Sequence, residues 1–229
     1  MPKWLEVEKI KGGYGSVKII NGIDLYIDEG EFVTIIGPNG CGKSTLLQIL
    51  YGTIKADELL VEFDARPYES DYGKWGKNTI IKQRLIGYLP QFSFLPAGMR
   101  VYNVIPLFYP GGEEQDRIFN APRLARFSKK KVGELSIGER RYLEIQLVGN
   151  LDHPFLFLDE PFSMVEPLYA EVITQLLQVL KQRKGIIITD HYYEEVWKVA
   201  TVKKVLVNAR LHDVHEKEDL VRLGYLSTL

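Results

Sequence analysis

Several features that define other protein classes are missing from this 229-residue sequence. Cys41 is its one cysteine, so no intrachain disulfide can form, which fits a reducing compartment. No stretch approaches the roughly 20 consecutive apolar residues that a membrane-spanning helix needs. The first ten residues include Glu6 and Glu8 and have no apolar run, so no secretory signal is predicted.

An excess of positive charge is also missing. The sequence has 29 Lys and Arg against 30 Asp and Glu, for a net charge of -1. Non-specific binding to DNA or RNA depends on basic residues that neutralise phosphates. We therefore expect no nucleic-acid partner.

Short apolar runs alternate with helical stretches along most of the chain. With 45% hydrophobic residues, the chain can bury a core of its own. Continuous apolar runs are typical of strands covered on both faces of a parallel sheet. Strands are predicted over residues 4–10, 19–27, 32–36, 59–63, 85–89, 155–158, 186–189 and 205–207. Helices are predicted over residues 44–51, 136–149 and 168–180 and from residue 217, so the pattern indicates an α/β fold.

Two stretches are rich in residues that break regular structure. The Gly-Gly-Tyr-Gly sequence at residues 12–15 predicts a turn between the first two strands. Prolines and glycines divide residues 92–133 into short pieces. Only residues 113–120 and 123–132 of that region are long enough for helical turns.

A glycine-rich loop follows the predicted strand at residues 32–36 and fits the phosphate-binding pattern G-x-x-x-x-G-K-[ST]. Its residues are Gly37, Pro38, Asn39, Gly40, Cys41, Gly42, Lys43, Ser44 and Thr45. Glycines let backbone N–H groups surround phosphate oxygens, and the start of the next helix favours an anion. Lys43 is expected to reach the β- and γ-phosphates and Ser44 to bind Mg²⁺. The alternative is a glycine turn before a core helix.

Cys41 lies inside this loop, next to a helix start that can lower the pKa of a thiol. A simpler interpretation is that Cys41 is a small residue that fills space. We expect Mg-ATP to slow alkylation of this thiol.

A second candidate site is the pair Asp159 and Glu160 at the end of an apolar strand. The carboxyl ends of parallel strands face the ligand crevice of α/β folds. Asp159 is expected to hold the metal through its water shell, and Glu160 to act as general base on the attacking water. Without the phosphate loop, the same pattern would describe a strand followed by a solvated turn.

A third element is the segment Leu-Ser-Ile-Gly-Glu at residues 135–139, called here the signature segment. Ser136 with Glu139 three residues later forms a capping box, which predicts the start of a helix. Capping is one sufficient explanation for it. A helix start with a serine hydroxyl is also suited to binding phosphate.

These elements together resemble the ATP-binding cassette family. The phosphate loop, Gln91 after a strand, the signature segment, residues 158–161 and residues 189–191 occur in the order typical of that family. The resemblance covers nearly the whole chain and implies one ATPase domain. It implies a P-loop NTPase core at 1–91 and 134–229, with an N-terminal antiparallel β subdomain and a short helical subdomain inserted at 92–133.

The resemblance also implies a head-to-tail homodimer that encloses two ATP molecules. Ser136 and Gly138 would contact the γ-phosphate held by Lys43 of the other subunit. His191 would contact the γ-phosphate and help to position the water, although a histidine after a strand is often structural. Gln91 would approach Mg²⁺.

Tyr14 resembles the aromatic residue that stacks on adenine in this family. The alternative is an ordinary tyrosine in a turn.

The sequence departs from the family pattern at three places. Ile137 replaces the first glycine of the signature, and its branched side chain restricts the backbone. Glu166 stands where the family usually has aspartate. Residues 92–133 are short and rich in proline for the helical subdomain that meets the membrane partner.

Within the family, the residues around the signature and Glu160 look most like the ATPase of the lipopolysaccharide exporter.

The leading hypothesis is therefore the ATP-hydrolysing motor of a transporter. Such a subunit would work with integral-membrane partners, in the cytoplasm at the inner face of the cell membrane. One alternative is a soluble ATPase of the same fold, of the assembly or repair type, although no heptad repeats support the latter. Another is a regulatory subunit with impaired hydrolysis, supported by Ile137 and Glu166. A simple phosphotransferase would not need the signature segment.

Overall fold

The computed structural model describes residues 2–14, 17–64, 66–68, 79–191 and 193–226. The strands in these residues are β1 (Trp4–Tyr14), β2 (Val17–Asp28), β3 (Phe32–Ile36), β4 (Ala56–Phe63), β5 (Arg66–Tyr68), β6 (Ile86–Leu89), β7 (Phe155–Asp159), β8 (Gly185–Asp190), β9 (Val202–Val207) and β10 (Arg210–Asp213). The α-helices are α1 (Lys43–Tyr51), α2 (Thr79–Lys82), α3 (Val101–Phe108), α4 (Gly112–Phe119), α5 (Ile137–Gly149), α6 (Pro167–Lys181), α7 (Tyr193–Val199) and α8 (Lys217–Arg222).

The larger sheet has six strands in the order β10-β9-β3-β8-β7-β6, and only the β9–β10 pair is antiparallel. All residues of β3, β7 and β8 are buried, as their apolar sequences predict for strands covered on both faces. Ile36 pairs with Asp190, and Asp159 pairs with Thr189. The loops that follow β3, β7 and β8 therefore leave the same edge of the sheet.

Helices cover both faces of this sheet. Leu46, Leu47 and Leu50 of α1 belong to the core on one face, together with the buried side of β1 and β2. The core on the other face includes Leu143 of α5 and Leu177 of α6. These layers confirm the predicted α/β fold with a mostly parallel sheet.

The smaller sheet has the order β2-β1-β4-β5 and is antiparallel. β1 continues through Gly12, Gly13 and Tyr14, so the predicted turn at these positions is wrong. Gly15, the last residue of that predicted turn, lies outside the described residues. Glycine is needed at position 13 because a Cβ there would lie 2.0 Å from the Val17 carbonyl oxygen. The pairing of β1 with β2 therefore continues through Tyr14, which pairs with Val17.

Residues 92–133 contain a helix that the proline pattern concealed. Helix α3 forms despite Pro106, because Val101, Val104 and Ile105 pack into the core. The helix ends two residues after the proline, whose missing N–H removes one helical hydrogen bond. Helix α4 agrees with the helical turns predicted at 113–120.

The helical turns predicted at 123–132 form only the short 3₁₀ turns Leu124–Arg126 and Val132–Glu134. Arg123 has a φ of 67°, which an α-helix cannot include. The assignment of 92–133 as a separate subdomain stays a prediction. Among the described residues, no helix combines the length and the apolar character needed to cross a bilayer.

Candidate active site

The phosphate loop joins the end of β3 to the start of α1. Gly40 and Gly42 have φ values of 79° and 108°, which favour glycine. A Cβ at Gly42 would lie 2.5 Å from Cγ2 of Ile19, so a larger residue would collide with β2. The local sequence thus allows a tight loop whose backbone leads directly into a helix start.

Lys43 is held inside this loop. Its side chain donates hydrogen bonds to the carbonyl oxygens of Gly37 at 2.8 Å and of Pro38 at 3.1 Å. Lys43 is only 4% exposed, although a lone buried ammonium would be costly. Phosphate oxygens offer the ammonium stronger, charge-assisted bonds than these carbonyls do.

Asp159, at the end of β7, is the centre of a buried polar cluster. Its Oδ1 accepts hydrogen bonds from Ser44 Oγ at 3.0 Å and from Thr189 Oγ1 at 2.7 Å. Its Oδ2 accepts one from the Tyr88 hydroxyl at 3.3 Å. Burial raises the pKa of the Asp159 carboxyl, and the hydrogen bonds from Thr189 and Ser44 oppose this rise. A cation beside Asp159 would favour its charged form.

Glu160 brings two other predicted residues together. Its Oε2 accepts a hydrogen bond from Gln91 Nε2 at 2.9 Å and lies 3.4 Å from His191 Nδ1. The backbone N–H of His191 donates to Asp190 Oδ1 at 2.8 Å, which anchors the end of β8. A carboxylate and two polar side chains that can orient water are therefore in direct contact.

The backbone at Glu160 is in a left-handed conformation, with a φ of 48°. Non-glycine residues adopt this region rarely, and when they do they cluster at functional sites. The N–H of Glu160 donates to the carbonyl of Thr189 at 2.8 Å, so β8 holds this turn in place.

Three residues of the site had no predicted role: Tyr88 and Thr189, which bind Asp159, and Arg141, which donates to backbone carbonyls at Gln91 and Glu160. Thr189 lies in the recognised segment 189–191 but was given no role of its own, and Tyr88 comes from β6. A charged residue within the apolar face of α5 was the available signal for Arg141.

The signature segment starts α5 as predicted. Ser136 Oγ accepts from the N–H of Glu139 at 3.2 Å, and Glu139 Oε2 accepts from the N–H of Ser136 at 2.9 Å. Ser136 is exposed, and Ile137 is 39% exposed. The hydrogen bonds described for Ser136 are those of the cap, and none of them reaches the phosphate loop of the same chain.

Gly138 is buried against the loop that precedes α6. A Cβ at Gly138 would lie 2.5 Å from Glu166 Oε2 and 2.7 Å from Tyr169 Cβ. Glycine is therefore required here for packing within one chain. The longer side chain of Glu166 reaches this helix start.

Tyr14 lies at the end of β1, near the phosphate loop. Its ring is 55% exposed, and its hydroxyl donates to Gln48 Oε1 of α1 at 3.2 Å. An exposed ring in this position can receive a flat ligand. Its role in binding adenine stays a prediction.

Cys41 is a half-buried residue of the loop, and a Cβ at Gly37 would lie 2.8 Å from its sulfur. Burial raises the pKa of the Cys41 thiol, while nearby Lys43 lowers it by a smaller amount. Loss of solvent thus outweighs any lowering of the thiol pKa by the nearby helix start, in line with the interpretation of Cys41 as a residue that fills space.

The residues of the site suit Mg²⁺ bound together with a phosphate ligand. Ser44 and Asp159 supply a hydroxyl and a carboxylate, the hard oxygen donors that Mg²⁺ prefers. Within the described residues, no group of three or more His, Cys, Asp and Glu side chains is arranged to hold a metal ion. Mg²⁺ typically combines one or two carboxylates with phosphate oxygens and water.

Comparison with known proteins gives consistent matches. A family model described as ABC transporter matches residues 20–163. An ABC transporter ATP-binding protein of Rhizobium meliloti (strain 1021) is 30% identical, over 92% of this chain and 82% of its own length. The lipopolysaccharide export system ATP-binding protein of Haemophilus influenzae is 28% identical, over 83% of this chain and 81% of its own.

A crystal structure of a nucleotide-free ATP-binding cassette from an ABC transporter superposes with a TM-score of 0.80 at 24% identity. The match covers 98% of this chain and 95% of that one. At this identity the likeness shows a shared fold.

Proposed function

Since this chain belongs to the ABC transporter family, we propose that it is the ATP-hydrolysing motor subunit of a membrane transporter. ATP binding and hydrolysis is the activity of the family. The observation that carries the assignment is the contact of Gln91 and His191 with the same oxygen of Glu160. This contact lies at the strand end next to the Asp159–Ser44 pair and the phosphate loop.

The phosphate loop binds the substrate. Its backbone N–H groups surround the phosphates of ATP, and Lys43 exchanges its bonds to Gly37 and Pro38 for bonds to the β- and γ-phosphates. Ser44 would bind Mg²⁺ directly and Asp159 through its water shell, and Gln91 would approach the ion. When bound, Mg²⁺ neutralises charge on the phosphates.

Hydrolysis depends on the residues at the ends of β7 and β8. Glu160 accepts a proton from the water that attacks the γ-phosphorus. His191 and Gln91, which both contact Glu160 Oε2, orient this water and the γ-phosphate. A bound cation would favour the ionised form of Asp159, because it would oppose the effect of burial on the pKa of this carboxyl.

The signature segment serves the second subunit of a head-to-tail homodimer. Ser136 and the start of α5 are exposed, and the hydroxyl that caps the helix can still donate its proton. A helix start with this hydroxyl favours a phosphate group. Ser136 and Gly138 would thus contact the γ-phosphate bound by the partner, while Tyr14 stacks on the adenine of its own nucleotide.

Integral-membrane subunits complete the transporter. We place the chain in the cytoplasm, at the inner face of the membrane, with the helical segment 92–133 facing those subunits. This placement rests on family membership and on the single, unpaired cysteine. The alternative is an ATPase of the same family that works without membrane subunits.

The test combines turnover with partner capture. A tagged Glu160→Gln variant is loaded with ATP in cells and isolated from detergent-solubilised membranes. Lys43→Ala, in which ATP binding is strongly weakened, is the matched control. An integral-membrane protein in stoichiometric amount with the first variant supports the proposal. A soluble partner, or a cytosolic protein without partner, supports the non-transport ATPase. Absence of ATPase activity in the wild-type protein would contradict both.

A further inference from the structure

Arg141 connects two segments of the active site through their backbones. Its Nη1 donates to the carbonyl of Pro90 at 2.8 Å, and its Nη2 donates to that of Gln91 at 2.7 Å. The same Nη2 lies 3.4 Å from the Asp159 carbonyl oxygen and 3.3 Å from that of Glu160. One guanidinium group thus holds four carbonyls on two separate loops.

This guanidinium is almost completely buried, since the Arg141 side chain is 7% exposed. Glu144 Oε2 lies 3.3 Å from Nη1 and balances its charge. Burial lowers the pKa of Arg141, and Glu144, Asp159 and Asp190 oppose this effect. The group stays charged at physiological pH. Its planar set of five donors can reach carbonyls on two loops at once, which a lysine ammonium cannot do in the same geometry.

Two of the carbonyls that Arg141 binds, those of Asp159 and Glu160, flank the backbone dihedral angles of Glu160. Glu160 has a φ of 48°, and the guanidinium contacts the carbonyl before it and its own carbonyl. A positive charge at both carbonyls favours this backbone conformation over an extended one, in which the carbonyls point elsewhere. The direction of the Glu160 side chain follows from its backbone conformation.

Arg141 also sets the position of the residue that contacts Glu160. Gln91 Nε2 donates to Glu160 Oε2 at 2.9 Å, and Arg141 binds the backbone carbonyls of both residues. Glu144 extends the connection, because Ser93 Oγ donates to its carboxylate. Arg141 and Glu144 belong to α5, the helix that begins at Ser136.

We infer that Arg141 is a positioning residue for ATP hydrolysis, which holds Glu160 and Gln91 in mutual register and ties both to α5. It does not contact substrate, so its effect passes through Glu160 and Gln91. The inference rests on the proposed function of the chain as an ATPase. It predicts that loss of the guanidinium impairs turnover more than nucleotide binding, because Lys43 and the phosphate loop lie outside these contacts.

The test measures kcat, KM, the Kd for ATP and the Tm of Arg141→Met and Arg141→Lys. Lys184→Met is the matched control, because Lys184 is also a buried cation that donates to backbone carbonyls, those of Leu151 and His153. We expect kcat to fall about 30- to 100-fold in both Arg141 variants, since a misplacement of about 1 Å can cost 100-fold. The Kd for ATP should change less than about threefold.

Chemical rescue separates positioning from general destabilisation. In Arg141→Ala, millimolar guanidinium should restore part of kcat, whereas an equal concentration of sodium chloride should not. Lys184→Met should lower Tm and leave kcat near the wild-type value. If Arg141→Met does not fold, Arg141→Lys, which keeps the charge, decides the question.

Three outcomes would overturn the inference. A folded Arg141→Lys or Arg141→Met with wild-type kcat would show that the carbonyl contacts are unimportant for turnover. Equal losses of kcat and ATP affinity, without rescue by guanidinium, would indicate a structural role. A wild-type chain that binds ATP without hydrolysing it would refute the proposed function, and this inference with it. If the wild-type chain hydrolyses ATP and the Arg141 variants hydrolyse it equally well, the inference is refuted and the proposed function stands.

Discussion

The two ends of the parallel sheet both bury positive charge, but they use it differently. At the amino end, Lys184 donates to the carbonyls of Leu151 and His153, and His153 Nε2 lies 2.8 Å from the Val148 carbonyl oxygen. At the carboxyl end, Lys43 and Glu160 form hydrogen bonds that a bound ligand can replace.

The comparison separates two reasons for burying polar groups. At the amino end, buried side chains make hydrogen bonds to carbonyls of the protein itself, and these bonds stabilise the fold. Side chains at the carboxyl end are ordered before the ligand arrives, which lowers the cost of arranging them during the reaction. Changes at the carboxyl end should therefore alter binding or turnover, and changes at the amino end should alter stability.

The largest effect is expected for Glu160→Gln. Loss of the general base should lower kcat about 10²- to 10⁴-fold, while ATP binding remains because the phosphate loop is intact. Steady-state ATPase assays and nucleotide titration measure the two effects. Light scattering should show an ATP-dependent dimer. Glu171→Gln, on the exposed face of α6, is the control and should behave as wild type.

A variant that turns over ATP normally would exclude Glu160 as the base. A variant that binds ATP but stays monomeric would place the defect at Ile137 and argue against the head-to-tail dimer.

Lys43→Ala should reduce ATP affinity by about 100-fold or more, because hydrogen bonds between charged groups contribute about 1.5–3 kcal/mol each. Binding of a fluorescent ATP analogue measures this loss. Lys184→Met, at the other end of the sheet, should bind ATP normally and melt earlier. Equal affinities of Lys43→Ala and wild type would remove Lys43 from the site.

The free energy of unfolding should depend on pH through His153, at the amino end of the sheet. Burial and the ammonium of Lys184 lower the pKa of His153 to about 4, from 6.5. The neutral imidazole is therefore favoured in the folded state. Its contribution to stability is complete above pH 6.5 and is lost as the pH falls through 4. The total loss is roughly 3 kcal/mol.

Urea unfolding at pH 7 and pH 5 measures this contribution. His153→Gln keeps an N–H donor and an oxygen acceptor but cannot titrate, so its stability should fall less than that of wild type over this range. The kcat of the variant should stay unchanged. An identical pH dependence in both proteins would show that His153 does not titrate as inferred.

The smallest effect concerns Cys41. Alkylation of this thiol should be slow at neutral pH, because burial raises its pKa, and should accelerate as the pH rises. Mg-ATP should slow it several-fold further by occupying the loop. Mass spectrometry of labelled protein measures the rate, with Cys41→Ser as the unlabelled control. Equal rates with and without nucleotide would place Cys41 outside the pocket.

Much of the fold could be predicted because its signals are local. Continuous apolar runs predicted β3, β7 and β8, and the capping box predicted the start of α5. Helix α3 was missed because Pro106 outweighed the apolar residues whose burial decides that helix. A turn was wrongly predicted at residues 12–14, because cross-strand pairing with β2 extends β1 through these positions.

The candidate site was predicted in the same uneven way. Lys43, Ser44, Asp159 and Glu160 lie in short motifs with a chemical reason for each residue type. Arg141 has no such motif, since its partners are backbone carbonyls at positions 90, 91, 159 and 160. Carbonyl acceptors leave no trace in a sequence because every residue has one.

The sequence alone determined the family, the phosphate loop and the identity of the acids, because these depend on residue types at fixed short spacings. The tertiary structure decided which groups meet. It placed Gln91 and His191, which are 100 positions apart in the chain, in contact with the same side-chain oxygen of Glu160. The reason is physical: parallel strands bring distant loops to one edge of a sheet, and the buried charge of Arg141 holds two of those loops together.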